Sequence, residues 1–146
     1  MASILSESDR AAIVARLRKL DPTRPPLWGE MNAGQMVCHL ADSLRVAYGE
    51  IPCRQIGNVL MRTLVKWLVV YGQVKAPPGK IKTMREMQST QPASWDDDVA
   101  KLVELIERLP RVEKLFPHPA FGNMSRGEWG RLAANHVDHH LRQFGV

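Results

Sequence analysis

The sequence SRGEWGRLAANHVDHHLRQFG, residues 125–145, determines the class of fold that the chain is expected to adopt. Ser125, with Glu128 three positions later, forms a capping box that predicts a helix from about Arg126 to Phe144. Its apolar residues recur at helical spacing and share one broad face with two histidines: Trp129, Leu132, Ala133, His136, Val137, His140 and Leu141. The stretch therefore predicts a long amphipathic helix with imidazoles on its buried side.

The two histidines on that face have the spacing of a metal-binding pair. His136 and His140 are four residues apart, so on a helix they differ by about 40° around the axis and could chelate one transition metal. A third ligand is needed, and the best candidate is His39, which is expected in the middle of another helix. A bare pair of this spacing also fits ordinary polar histidines at a core edge. Because an unpaired imidazole is costly on a buried face, the pattern favours a functional site.

Helical periodicity recurs along the rest of the chain, whereas strand alternation hardly appears. Four more helical stretches are predicted, and these run from Glu7 to Leu20, from an N-cap at Asn32 to Tyr48, from Gln55 to Tyr71, and from Ser94, with Asp97 completing a capping box, to Leu109. Residues 73–93 have no clear period and are expected to form a long connection, either a loop wrapped around the helices or a binding loop. The predicted fold class is all-α.

Composition sets the frame for this fold. A length of 146 residues predicts one domain, residues 1–146, and 45% hydrophobic with 24% charged residues is typical of a soluble globular protein. The net charge of +5 comes from cations interleaved with acids, so neither nucleic acid nor a membrane is an expected partner. The N-terminus lacks the pattern of a signal peptide. Cys38 and Cys53 suggest no disulfide framework, and the expected location is cytoplasmic.

The arrangement of histidines resembles that of a known group of proteins. A histidine on the second helix, with an H-x-x-x-H pair on the last helix of an all-α chain this long, resembles the DinB-like superfamily, which includes YfiT-like and bacillithiol-transferase-like proteins. Further stretches look like an uncharacterised, largely bacterial branch of it: Trp28-Gly29, Gln35-Met36 before His39, His118-Pro119-Ala120-Phe121-Gly122, Glu128-Trp129, and residues 136–145.

This resemblance implies a DinB-like four-helix bundle with an additional short helix between the second and third core helices. It implies one divalent transition metal held by His39, His136 and His140. Zinc and nickel are the preferred ions, with iron as an alternative, and a low-molecular-weight thiol is a possible second cofactor. The function so implied is a metal-dependent S-transferase or hydrolase acting on a small molecule. The alternative is a non-catalytic metal- or ligand-binding bundle, and no residue is assigned a catalytic role.

Several polar residues near the histidines are candidates for supporting roles. Asp42, Asp138 and Gln143 could orient the ligand imidazoles, although for each of them a solvated helix residue is the favoured interpretation. His139 points about 100° away from His140, so we expect it to lie in the surroundings of the site or on the surface. His118, between two prolines, is expected to be a rigid loop element that could line the mouth of the site.

Three further expectations concern reactivity and assembly. Cys38 diverges by about 100° from His39 on a helix, so it is interpreted as a small buried hydrophobe and not as a nucleophile. The loop cations Lys75, Lys80, Lys82 and Arg85 could bind the carboxylates of small thiols. A homodimer is expected through an apolar side that exceeds what a compact bundle needs to cover, formed by Val59, Leu60, Leu64, Trp67 and Leu68.

Overall fold

The computed structural model describes residues 1–72 and 84–146, and within these ranges the chain is helical and has no strand. Five α-helices are present there: α1 (Glu7–Leu17), α2 (Ala33–Ala47), α3 (Lys66–Val70), α4 (Trp95–Arg108) and α5 (Arg126–Gln143). A π-helix, Met61–Val65, leads directly into α3, and short 3-10 turns occur at Arg85–Gln88 and Leu109–Arg111. The predicted all-α class is confirmed.

The core lies between the four long helices, with α2 at its centre. Helix α2 packs against α4 and α5, and α1 packs against the same two helices from the other side. All four contribute fully buried side chains, for example Leu17, Met36, Leu105 and Leu141. Burial of each leucine is worth about 2 kcal/mol. Twelve of the fifteen residues of α2 are buried, so polar residues on this helix lie in the interior and need partners there.

The helix ends follow the capping signals in part. The predicted N-cap at Asn32 is confirmed and forms a capping box with Gln35, and Ser125 forms the predicted one with Glu128. The predicted box at Ser94 is wrong. The Ser94 side chain caps no N–H group of α4, and Asp98, not Asp97, accepts the backbone N–H groups of residues 93 and 94.

Two helices are shorter than predicted. Helix α1 ends at Leu17 instead of Leu20, because the next residues form tighter turns in which Leu20 N–H donates to the Leu17 carbonyl. The stretch predicted from Gln55 becomes helical only at residue 59. The backbone N–H groups of Ile56 and Gly57 both donate to the Pro119 carbonyl, which holds this part of the chain extended.

We call residues 59–70 the outer helix, because they lie on α5 outside the core. Lys66 Nζ lies 2.9 Å from Glu128 Oε1, and Asn135 Nδ2 donates to the Val69 carbonyl at 3.2 Å. The outer helix therefore runs along α5 and reaches the residue before His136. Across the described residues, no helix is long and apolar enough to cross a membrane.

Candidate metal centre

Three histidines that are distant in sequence meet in the interior. His39 comes from the middle of α2, whereas His136 and His140 come from successive turns of α5. The Nε2 atom of His136 lies 3.0 Å from that of His39 and 3.2 Å from that of His140. One nitrogen from each ring lies within 4.8 Å of the others, so the three side chains could hold a metal ion. These are the three residues that the sequence singled out.

The ring of His39 is oriented by a segment that crosses α2. We call residues 84–90, which include the 3-10 turn Arg85–Gln88, the strap. Within it, the Met87 carbonyl lies 2.8 Å from His39 Nδ1. A carbonyl oxygen only accepts hydrogen bonds, so Nδ1 carries the proton and Nε2 presents its lone pair to the other two rings.

The ring of His140 is oriented by a chain of two hydrogen bonds. Its Nδ1 lies 2.7 Å from Gln143 Oε1, and Gln143 Nε2 donates to the Trp28 carbonyl at 2.6 Å. The amide nitrogen is tied to a carbonyl, so its oxygen is the atom that faces His140 and accepts from it. His140 is thereby fixed in the same tautomer as His39. The supporting contact expected for Gln143 is present.

With the tautomers of His39 and His140 fixed, too few Nε2 atoms carry a hydrogen to form a hydrogen bond at both short Nε2–Nε2 contacts. His39 and His140 both point bare Nε2 atoms at His136, so only His136 can supply a proton to the centre. One Nε2–H can bridge one of the two contacts, and the other contact then brings two lone pairs to about 3 Å. Such an arrangement is unfavourable unless an electrophile lies between the nitrogens. A cation satisfies all three lone pairs together.

Burial keeps all three rings neutral. Desolvation lowers the pKa of His39, in spite of the hydrogen bond to Met87. Desolvation, followed by the neighbouring His39 and His140, lowers the pKa of His136 well below its usual value. The pKa of His140 falls to about 3, again chiefly through burial. Neutral imidazoles are the form that binds metals, so the environment prepares the three rings as ligands.

The spacing also suits a first-row transition metal. With metal–nitrogen distances of about 2.0–2.1 Å, adjacent nitrogens of a tetrahedral site lie roughly 3.3 Å apart. The two closest pairs here are 3.0 and 3.2 Å apart. Small rotations of the rings would accommodate the ion. The group has three members in the parts of the chain that are described, so it would leave at least one coordination position to another ligand.

Two of the charged or aromatic neighbours have other roles. His139 lies outside the cluster and packs against the Trp28 ring at a centroid distance of 5.8 Å. Asp138 was a candidate to orient a ligand, with a solvated helix residue as the favoured alternative. Its carboxylate instead pairs with Arg16 and Arg142, each at 2.8 Å, because the side chain points away from the histidine face of α5.

His118 lies in a loop, as expected, and its ring is held there by hydrogen bonds and stacking. Its Nδ1 accepts from the backbone N–H groups of Ala120 and Phe121, both at 3.1 Å, and its ring stacks on Phe121. Burial lowers the pKa of His118 to about 4. The ring lies 5.4 Å from that of Trp129, two helical turns before His136. Cys38 is buried, and desolvation raises its pKa to about 11, in keeping with an unreactive thiol.

The sequence did not reveal which groups orient the ligands from outside. Two of them are backbone carbonyls, those of Trp28 and Met87, and a carbonyl has no side-chain signal. Asp42 was one candidate to orient a ligand, with a solvated helix residue as the favoured interpretation. It contacts none of the three rings and instead bonds to the strap. The loop cations Lys75, Lys80 and Lys82 lie outside the described residues.

Comparison with known proteins assigns the chain to a family. The family described as "Protein of unknown function (DUF1569)" matches residues 3–145, which is nearly the whole chain. The chain therefore belongs to this family. No curated protein and no solved structure gave a match.

Proposed function

We propose that the chain is a metal-dependent enzyme of the DinB-like type, in which His39, His136 and His140 hold one divalent ion. One observation carries this proposal. The Nε2 atoms of three histidines meet, and at most one of them carries a hydrogen that could form a hydrogen bond to another. Imidazole ligation suits zinc and nickel, with iron as the alternative. The four long helices around one core are compatible with a DinB-like four-helix bundle with the outer helix inserted.

The donor set favours an open site over a closed structural one. Structural zinc sites are usually closed by four protein ligands, whereas catalytic sites use three and keep a position for water or substrate. Here the group has three members within the described ranges, and His136 is partly exposed to solvent. When bound, the ion would lower the pKa of a coordinated water or thiol. The Met87 carbonyl would keep the neutral ring of His39 in position, and Gln143, held by the Trp28 carbonyl, would do the same for His140.

The reaction class that we propose is transfer of a small thiol, or of water, to a small electrophilic substrate. The support is the nature of the donor set together with the sequence resemblance to thiol-dependent S-transferases. The alternative is a non-catalytic bundle that binds a metal or ligand. The burial of His39 and His140, which are 3% and 6% exposed, favours this alternative because it restricts access of a substrate to the site.

The deciding experiment begins with protein purified without a polyhistidine tag. We expect about one divalent ion per chain by elemental analysis. Metal-loaded and chelator-stripped protein should then be compared for turnover of an electrophilic test substrate with each of several small thiols and with water alone. Metal-dependent turnover supports the enzyme, whereas stoichiometric metal without turnover supports the non-catalytic alternative. Absence of metal binding overturns the enzyme and the metal-binding alternative, and leaves only a non-catalytic bundle that binds another ligand.

We further propose that a second copy of this chain covers the outer helix. Its outward residues Val59, Leu60, Leu64 and Trp67 are exposed by 78, 57, 53 and 57%. Together they expose several hundred Å² of apolar surface, which is a large part of the roughly 800 Å² that each partner buries in a standard interface. Lys66, the cation facing α5, is already paired with Glu128. Arg62, the other cation of the outer helix, is exposed, but the four outward residues themselves are uncharged and suit an identical patch.

A further inference from the structure

The strap is the element that decides how His39 is oriented, yet little apolar packing holds it. Of the residues in the 3-10 turn Arg85–Gln88, Met87 is the one that is buried. The turn ends at Ser89, and Thr90 follows in an irregular conformation. The Met87 carbonyl can hold His39 only while the strap stays on α2. Something must therefore fix the end of the strap.

Asp42 provides that attachment. Its carboxylate is fully buried, one helical turn after His39 on α2. One oxygen accepts from the Thr90 hydroxyl at 2.6 Å and from Arg45 at 3.1 Å. The other accepts from the Thr90 backbone N–H at 2.8 Å and from the Ser89 hydroxyl at 3.1 Å. Three of these four bonds go to the strap.

Asp42 also pairs with Arg45 at 3.1 Å, and its charge acts through space to raise the pKa of His39 against the larger, lowering effect of desolvation. Asp42 contacts none of the three histidine rings, and Arg45 beside it also donates to Thr90 Oγ1 at 3.0 Å. A fully buried carboxylate costs several kcal/mol of desolvation, so its bonds must recover that cost. The residue is therefore committed to the strap, whose Met87 carbonyl lies three residues before Thr90.

We propose that Asp42 is a positioning residue for the metal centre: it fastens the strap to α2, so that the Met87 carbonyl holds His39 with Nε2 aimed at His136. This inference rests on the proposed metal site for its functional consequence. Its structural part, the control of the His39 tautomer, is independent of any metal. Without the carboxylate, the strap loses the acceptor of its three hydrogen bonds to α2. The Met87 carbonyl is then no longer held against His39 Nδ1.

The test uses the full chain with Asp42→Asn and the milder Thr90→Val, which removes the hydroxyl but keeps the backbone N–H. Ser43→Ala is the matched control, because Ser43 is also buried on α2 but donates to its own helix, at the His39 carbonyl, and forms no side-chain bond to the strap. Nitrogen NMR of the metal-free protein reports the tautomer of His39. Competition with a zinc chelator reports the zinc dissociation constant.

In the metal-free wild type and in Ser43→Ala, we expect a single tautomer with the proton on Nδ1. In Asp42→Asn we expect a mixture of tautomers and faster exchange of the Thr90 amide. The zinc dissociation constant should rise by about 10- to 100-fold in Asp42→Asn, less in Thr90→Val, and under about twofold in Ser43→Ala. If Asp42→Asn does not fold, Thr90→Val must show the same two changes, a mixture of His39 tautomers and a higher zinc dissociation constant, to a smaller extent.

The outcomes separate this inference from the proposed function. A wild type that binds no zinc, with the tautomer still dependent on Asp42, rejects the metal site and keeps the positioning role. A folded Asp42→Asn that retains a single His39 tautomer, and whose zinc affinity equals that of Ser43→Ala, overturns the positioning role and leaves the metal site intact.

Discussion

The histidine cluster and the outer helix depart from the usual distribution of polar and apolar residues in opposite ways. In the cluster, imidazoles occupy the interior, where apolar side chains are the rule. On the outer helix, leucines and a tryptophan face outward while Lys66 turns inward to Glu128. The buried polar groups have partners around them, those of His39 and His140 being a carbonyl and an amide. The outward apolar groups of the outer helix are exposed among the residues that the structure describes. The polar interior therefore has its partners within one copy, whereas the proposed homodimer would supply partners for the apolar exterior.

The largest effect is expected from removing a ligand. Alanine at His39, His136 or His140 should abolish stoichiometric metal binding, because two imidazoles lose the chelate geometry. The His139 ring lies between those of Trp28 and His140, at centroid distances of 5.8 and 5.1 Å, but His139 is not a member of the candidate ligand group, so alanine there should reduce metal content much less. Elemental analysis of untagged protein measures this. Full metal content in all three ligand variants would show that the cluster is not the site.

The outer helix is tested by placing a charge on its exposed face. Leu64→Glu should weaken the homodimer by about 100-fold or more, because a central apolar contact would become a desolvated carboxylate. Leu27→Glu is the matched control, since Leu27 is also exposed, at 65%, but lies outside the outer helix. Light scattering over a concentration series gives the dissociation constants. A wild type that stays monomeric at high micromolar concentration removes the interface.

The second-largest change at the cluster should follow loss of the His140 anchor. Gln143→Leu removes the acceptor for Nδ1 and the bond to the Trp28 carbonyl, so the ring can rotate or change tautomer. We expect zinc affinity to fall by about 10- to 100-fold. Gln143→Glu keeps the acceptor and should lose less. Equal affinities for the wild type and the leucine variant would mean that packing alone orients His140.

Acid should destabilise the metal-free protein. The folded chain keeps His118 neutral with a pKa of about 4, while the unfolded chain takes up a proton near pH 6.5. The stability is therefore complete above about pH 6.5 and is lost as the pH falls. His118 alone should account for about 2 kcal/mol between pH 7 and pH 5. Urea unfolding with chelator present measures the loss.

His118→Asn serves as the comparison for the acid effect. An asparagine oxygen can accept the two backbone N–H bonds but does not titrate in this range. The variant should lose about 2 kcal/mol less than the wild type over the same pH interval. An identical loss in both proteins would assign the acid sensitivity to the other buried histidines, among them His140, whose pKa lies near 3.

The smallest expected effect concerns the inward cation of the outer helix. Lys66 and Glu128 are 18% and 13% exposed at their side chains, and Lys66 also donates to the Asn123 carbonyl at 3.0 Å. A double-mutant cycle with Lys66→Met and Glu128→Gln should give a coupling energy of about 1 kcal/mol. Lys101 and Glu104, an exposed pair on α4, provide the control and should couple by less. Equal couplings would mean that partial burial adds nothing here.

The sequence predicted those features that side-chain patterns carry. The all-α class, the N-caps at Asn32 and Ser125, and the three histidines followed from spacing and residue type. Features that depend on the backbone of distant segments were missed. The start of the outer helix depends on the Pro119 carbonyl, and the orientation of His39 depends on that of Met87. The first turn of α4 contains three consecutive acids, Asp96, Asp97 and Asp98, so the sequence pattern did not distinguish Asp98, which accepts the N–H groups of residues 93 and 94, from Asp97.

The bonds around the histidines also bear on the order in which the chain can fold. The hydrogen-bonded residues are far apart in sequence. Met87 is 48 positions from His39, His136 is 97 positions from His39, and Gln143 is 115 positions from Trp28. The chain segment between each pair must close into a loop before the hydrogen bond can form. Closing a long loop costs conformational entropy, whereas the local contacts of a helix do not require it. We therefore expect the cluster to assemble late, after the helices and most of the core. An ion that binds only the assembled cluster would then act as a thermodynamic clamp on the complete fold, because every chain that opens must first release it.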